Sequence, residues 1–194
     1  MVEQPGIDSD KSTWRAWARA ERATLDLAAL SESVVAGLTS WPPIKSVRTI
    51  LTYLPMADEV NLGGLSESAR NGTLLATRTP EQGGSLTIHE LGGPLEVHRL
   101  GFLQPHASAP EVAPEDVDLV LVPGLAFDLW GTRLGRGVGY YDELIGRMSR
   151  RVVRVGVVPA ALVVDHLPRE DHDQPMAFLA TEEGVVGVAR DNSR

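Results

Sequence analysis

The apolar residues Trp14, Trp17, Ala18, Leu25, Ala28 and Ala29 recur at helical spacing. They predict a helix that opens on Ser9 or Asp10 as its cap and runs to about Leu30. Lys11, Arg15, Arg19 and Arg22 share a second, basic face of it. Ser31 is placed to cap another helix through Val34, Val35 and Leu38, which must stop before Trp41 because Pro42 and Pro43 push their predecessors out of helical geometry. Val47 to Tyr53 reads as a buried strand, followed by Pro55 and a polar turn at Asp58 and Glu59. Val60 to Asn71 is a weak helix, interrupted by Gly63 and Gly64.

Leu74 to Thr77 and Leu86 to Leu91 predict two short strands. From Leu100 to Pro114 no period survives, and the Gly, Pro, Ser and Ala content predicts an ordered surface loop. Apart from Asp118, Val117 to Val122 is an apolar run closed by Pro123-Gly124, the composition of a central strand buried on both faces. After a long loop a helix is expected from near Tyr140 to about Met148. Val152 to Val158 is a further buried strand, and Met176 to Thr181 and Val185 to Ala189 pair around Glu182-Glu183-Gly184. Strands alternating with helices predict an α/β fold of the Rossmann-like kind: one domain over residues 1–194, a mostly parallel central sheet and helices on both faces.

Composition narrows the partners. Eighteen Lys and Arg against twenty-six Asp and Glu give a net charge of −8, which repels polyanions, so neither nucleic acid nor an anionic membrane surface is an expected partner. The chain has no cysteine, which removes thiolate nucleophiles, disulfides and Cys-based metal sites. Asp8, Asp10, Lys11, Arg15, Arg19, Glu21 and Arg22 break any apolar leader, and no run reaches the roughly 20 apolar residues of a bilayer span. The expectation is a cytoplasmic monomer.

Between Pro123 and Asp142, Gly131, Gly135, Gly137 and Gly139 stand beside Arg133 and Arg136, just after the strongest strand. Such a loop can present backbone N–H groups to an anion, and the helix opening near Tyr140 would add its dipole. No Gly-Lys-Ser/Thr follows, which excludes a Walker loop, and the glycines do not fit a dinucleotide fingerprint. The glycines alone fit tight turns equally well; the two arginines favour phosphate, whose geometry a guanidinium matches bidentately. Lys11 and Arg15, one helical turn apart, reach the same anion if the first helix packs by the loop, and are otherwise a solvated face. Asp142, like Asp171 and Asp173 around His172, is a candidate magnesium ligand or, at a helix start, simply a cap. Tyr140 and Tyr141 suit a heterocycle or packing. Glu59 follows a strand, where α/β folds place ligand groups.

Taken together, DLVLVPGLAFDLWGTRLGRGVGYYD from Asp118 to Asp142 resembles the signature of the 5-formyltetrahydrofolate cyclo-ligase family, also called 5,10-methenyltetrahydrofolate synthetases. Lys11 with Arg15 is similar to the family's N-terminal Lys-x-x-x-Arg, and Asp58-Glu59-Val60 to its strand-end Glu. Gln104-Pro105 and Leu167-Pro168 with His172-Asp173 resemble two further elements, so the likeness spans nearly the whole chain. It implies an ATP-dependent ring closure: phosphorylation of the formyl oxygen of 5-formyltetrahydrofolate, attack by N10, and release of 5,10-methenyltetrahydrofolate, ADP and phosphate.

Position by position, the resemblance assigns Lys11, Arg15, Arg133 and Arg136 to the ATP phosphates, with Gly135, Gly137 and Gly139 giving backbone approach. Asp142 and Asp173 become Mg2+ ligands. Glu59 holds the pterin N–H groups, Leu54, Met56 and Phe102 form apolar walls, and Tyr140 and Tyr141 line the junction of folate and nucleotide, next to Arg136 at the reacting phosphoryl. Two positions depart from the family: Val138 stands where many members carry Lys, and the apolar run Ala160 to Val164 replaces a common Gln or Glu. Both leave open an alternative, a noncatalytic folate- or nucleotide-binding domain derived from this family.

Overall fold

The computed structural model describes residues 3–65, 72–81 and 83–189. An eight-stranded sheet organises them. Its five parallel strands are β1 (Thr49–Thr52), β2 (Thr73–Arg78), β7 (Leu119–Pro123), β10 (Val153–Val157) and β12 (Phe178–Thr181). They lie in the order β2-β1-β7-β10-β12. Antiparallel strands close both edges: β13 (Gly184–Gly187) beside β12, and β3 (Thr87–Glu90) then β6 (Glu111–Val112) beyond β2.

Alternation along the central strands explains why both faces are covered. Leu119 and Leu121 join Ile50, Val155 and Val157 on one face, where α2 (Leu27–Ser40) packs through Val34 and Leu38. Val120 and Val122 join Leu51 and Leu75 on the other, under Trp14, Trp17 and Ala18 of α1 (Lys11–Arg22) and Leu144 and Ile145 of α4 (Tyr140–Arg147). A short α3 (Pro42–Ser46) leads into β1. Counted along the chain, the parallel strands run 2-1-3-4-5, the order of a doubly wound sheet whose winding reverses between β1 and β7. In such sheets ligands bind outside the carboxyl ends of the strands at the reversal.

Several expected elements differ. The first helix ends at Arg22, and Asp26, not Ser31, caps α2 by accepting the Ala29 N–H. Ser31 lies inside that helix and donates to the Leu27 carbonyl. The helical period runs across the break because Leu25 in the connecting turn packs on the same core as Trp14 and Trp17, while Ala28 and Ala29, which continue the pattern, are exposed. The expected loop after Leu100 contains β5 (Leu103–Pro105), paired with β4 (Leu95–Val97), and also β6. The long loop after β7 folds back as β8 (Ala126–Asp128) and β9 (Arg133–Leu134), with β11 (Val163–Val164) beside β8. Of the weak helix expected over Val60 to Asn71, Val60 to Gly64 form no helix, and 66–71 lie outside the described residues.

Candidate active site

A cavity of about 430 Å³ opens between the carboxyl ends of β1 and β7. Segments far apart in sequence line it: the start of α1, the turn after β1, the end of β2, the β4–β5 hairpin, the glycine loop into α4, and Glu170, His172 and Asp173. Fifteen residues singled out in the sequence line it: Lys11, Arg15, Leu54, Met56, Glu59, Phe102, Arg133, Gly135, Arg136, Gly137, Gly139, Tyr140, Tyr141, Asp142 and Asp173; Gly131 and Asp171 lie outside the lining.

The basic wall is assembled by α1 and the glycine loop. Asp10 caps α1 by accepting the Thr13 N–H at 2.8 Å, which fixes Lys11 in the first turn. Lys11 Nζ lies 2.8 Å from Asp173 Oδ2 and 3.2 Å from Glu170. Arg15 Nε donates to the Gly135 carbonyl at 2.9 Å, so the helix holds the loop directly. Arg133 on β9 is inserted under Gly135, donates to Asp142 Oδ2 at 2.6 Å, and stands 5.8 Å above the Tyr141 ring. Its Nε is buried without a partner. Gly139 precedes α4 with φ +82°, a left-handed conformation natural to glycine, and no side chain caps that helix end.

The acids are interleaved with these cations. Asp142 uses both oxygens, the second accepting the Gln174 N–H at 3.3 Å, which ties the first turn of α4 to the segment carrying Asp173. Burial alone would raise the Asp173 pKa, but the hydrogen bond from Lys11, the Glu170 N–H and the Lys11 charge overcome it and hold the carboxyl below its usual range. Glu170, His172 and Asp173 offer ligand atoms within 4.8 Å of one another, yet the Lys11 amine already bonds two of these three, so the group stands as an ion-pair cluster.

Glu59 is not the solvated loop acid that its surroundings in sequence allow: its side chain is 11% exposed. Oε2 accepts the Met56 N–H at 3.0 Å, and Oε1 faces Arg136 at 3.1 Å. Asp58 accepts from Arg136 at 2.6 Å. Burial pushes the Asp58 carboxyl up, and the hydrogen bond and charge of Arg136 bring it below the ordinary value. Burial pushes the Tyr141 phenol up, so it stays protonated as a donor. Phe102 enters from the β4–β5 hairpin, stacked on His98 with ring centroids 4.6 Å apart. Buried Gln104 anchors that hairpin, accepting the Thr79 N–H and donating to Glu96, which also pairs with Arg78.

Arg22 is the functional side chain that its sequence pattern hides. It belongs to the basic stripe of α1 but is 3% exposed. Nη1 donates to the Asp58 carbonyl at 2.7 Å, and Nη2 to those of Gly124 and Leu125 at 2.6 and 2.9 Å. One guanidinium thus fastens the turn bearing Glu59 to the end of β7. No local signal marks it, since its acceptors come from two distant turns. Thr77, Thr79, Leu86, Glu170 and His172 are further lining residues that the spacing of motifs does not single out.

A cavity at the reversal of a doubly wound sheet, where apolar side chains surround interleaved cations and carboxylates, has the place and lining of a small-molecule site of the α/β class. Residues 10–182 match the model of the 5-formyltetrahydrofolate cyclo-ligase family. The chain belongs to that family and is therefore a ligase. It is 30% identical over 152 residues to a 5-formyltetrahydrofolate cyclo-ligase of Mycolicibacterium smegmatis, covering 74% of this chain and 78% of that one. To that of Escherichia coli K12 it is 25% identical over 163 residues, 80% and 90% of the two chains. The solved 5,10-methenyltetrahydrofolate synthetase of Aquifex aeolicus superposes with a TM-score of 0.81 at 34% identity, covering 95% of each chain. That of Mycoplasma pneumoniae shares the fold, with a TM-score of 0.73 at 18% identity over 90% and 99%. No helix among the described residues is long and apolar enough to cross a membrane.

Proposed function

We propose that the chain closes 5-formyltetrahydrofolate to 5,10-methenyltetrahydrofolate at the expense of ATP, releasing ADP and phosphate. The carrying observation is that one cavity joins guanidinium and ammonium groups to a largely buried carboxylate set among apolar side chains. MgATP would supply the phosphoryl group that activates the formyl oxygen.

The protein's contribution is placement and charge. Lys11, Arg15, Arg133 and Arg136 would provide the cations that a moving phosphoryl requires, held at the cavity by their present acidic and carbonyl partners until phosphate replaces these. The Arg133 Nε is buried without a partner and no side chain caps the start of α4, so both keep N–H donors unspent. Asp142 and Asp173 would take the magnesium ion as Arg133 and Lys11 turn to phosphate. Glu59 would accept the 2-amino and ring N–H groups of the pterin, while Leu54, Met56 and Phe102 exclude water around the ring. Tyr140 and Tyr141 would hold N10 and the formyl carbon at the junction. Val138 lines the cavity and is 67% exposed, so the Lys common at this position is missing from the rim while Lys11, Arg15, Arg133 and Arg136 remain.

Absorbance tests this reading. The methenyl product has a conjugated chromophore that the formyl substrate lacks, so protein with MgATP and 5-formyltetrahydrofolate should develop a new long-wavelength band that depends on ATP and disappears on chelating magnesium. No band with intact binding of both ligands would leave a noncatalytic binder.

A further inference from the structure

Arg136 holds the very carboxylate on which the folate half of the cavity depends. From Nη2 it donates to Asp58 Oδ1 at 2.6 Å and Glu59 Oε1 at 3.1 Å, and from Nε to Glu59 Oε1 at 3.3 Å. Among the described residues Oε2 accepts only the Met56 N–H and keeps a second lone pair, whereas Oε1 takes two Arg136 donors and has none to spare. A pterin edge offers two parallel N–H groups and needs both oxygens side by side. Oε1 becomes available to it only when Arg136 withdraws.

The same residue is suited to withdraw. It sits in the glycine loop between Gly135, whose carbonyl Arg15 holds, and Gly137 at φ +107°, so its withdrawal is a turn of the side chain on a held backbone. Its side chain is a third exposed, and Asp58, its shortest contact, is 43% exposed, in reach of competing water and ions. Nη1 carries none of these bonds and faces a cavity whose other cations are Lys11, Arg15 and Arg133. A polyphosphate entering there is the stronger guanidinium partner, carrying more charge and more acceptor oxygens than a single carboxylate.

We infer that Arg136 couples the two ligands of the cavity: nucleotide polyphosphate draws it off Glu59 and so opens the folate carboxylate. The inference rests on the proposed folate and ATP reading. By linkage the effect is mutual, each ligand tightening the other by the same factor. Asp58 sets the strength of the coupling, because it is the acid that retains Arg136 when phosphate is absent.

Calorimetric titration of the full chain tests this. The probes are 5-formyltetrahydrofolate and, with Mg2+, an ATP analogue whose β,γ-bridging oxygen is replaced by methylene. Wild-type protein should bind the folate about 10-fold more tightly when the analogue is saturating, within the usual range of such couplings. In Arg136→Ala the folate should bind without nucleotide as tightly as it binds wild type with nucleotide, and the analogue should add nothing. Asp58→Asn, which leaves the cation in place, should give an intermediate coupling. Equal folate affinities with and without analogue in wild type, or weaker folate binding by Arg136→Ala alone, would overturn the coupling. Those results in a protein that still forms the methenyl band leave the proposed function standing; failure of both ligands to bind removes that function itself.

Discussion

Replacing Arg22 by Met keeps the unbranched stem in its apolar surroundings and deletes the guanidinium. Three hydrogen bonds to the carbonyls of Asp58, Gly124 and Leu125 are lost, and a bond from a charged donor is worth about 1.5–3 kcal/mol net. Against that loss stands relief from burying a cation: burial lowers the Arg22 pKa, and its Nε lacks a partner. The balance is a destabilisation of roughly 2–4 kcal/mol. For a chain of this size each kcal/mol moves the melting midpoint by about 2–4 °C, giving a fall of roughly 4–16 °C. The assay is a melt followed by far-UV circular dichroism, with folate and nucleotide affinities measured well below the mutant's midpoint. Folate affinity should suffer more than nucleotide affinity, because the Glu59 turn loses its fastening while Arg15 still holds the glycine loop at Gly135. Arg22→Lys should recover little, since one ammonium cannot span carbonyls from two turns as a guanidinium fork does. A midpoint within about 2 °C of wild type with unchanged folate affinity would show that the three bonds contribute nothing to the site.

Arg136→Ala should lower turnover about 10²- to 10³-fold, as loss of one donor to developing phosphoryl charge does, without weakening folate binding; steady-state kinetics beside calorimetry checks this. Glu59→Gln should weaken folate binding by about 2–3 kcal/mol, since the amide turns one acceptor into a donor, while ATP affinity serves as the control for misfolding. Asp173 has a depressed pKa through Lys11, so its contribution to stability is complete above the unfolded value of about 3.9 and is lost as pH falls through the lower folded one. Urea unfolding across that acid range should show a shallower pH dependence for Asp173→Asn, and an unchanged slope would deny the pair a role in stability.

How far the sequence reveals the molecule follows from which interactions are local. Val117 to Val122 and Val152 to Val158 declare their strands because burial on both faces demands a dense apolar run, broken here only by Asp118 and by Arg154 and Gly156. Strands such as β4, β8 and β9 span two or three residues and carry no period; tertiary pairing creates them, and so Leu95 to Val97 and Ala126 to Asp128 pass as loop. The same division holds in the site. Gly135, Arg136, Gly137 and Asp142 stand together in one motif and are legible as a group. Glu59 is legible only through its place after β1, because its burial depends on Arg136, 77 residues away. Arg22 shares the helical face of solvated cations, and only the turns at Asp58 and Gly124 distinguish it.

The α1 contacts bear on how the molecule becomes competent as it folds. Lys11 meets Asp173 across 162 residues, Arg15 meets Gly135 across 120, and Arg22 meets Gly124 across 102. Contacts of such separation must close long loops before they return any free energy, which makes them late events in folding. The parallel sheet should therefore form first, with α1 docking onto an existing edge of the cavity. Trp14 and Trp17, edge to face with centroids 5.5 Å apart and both buried, lie on that helix as built-in fluorophores. Their change in emission during refolding would time the docking, and ligand affinity should arise with that phase rather than with the earlier gain of sheet. During synthesis α1 emerges before its partners, so a binding-competent molecule exists only after residue 173 has left the ribosome.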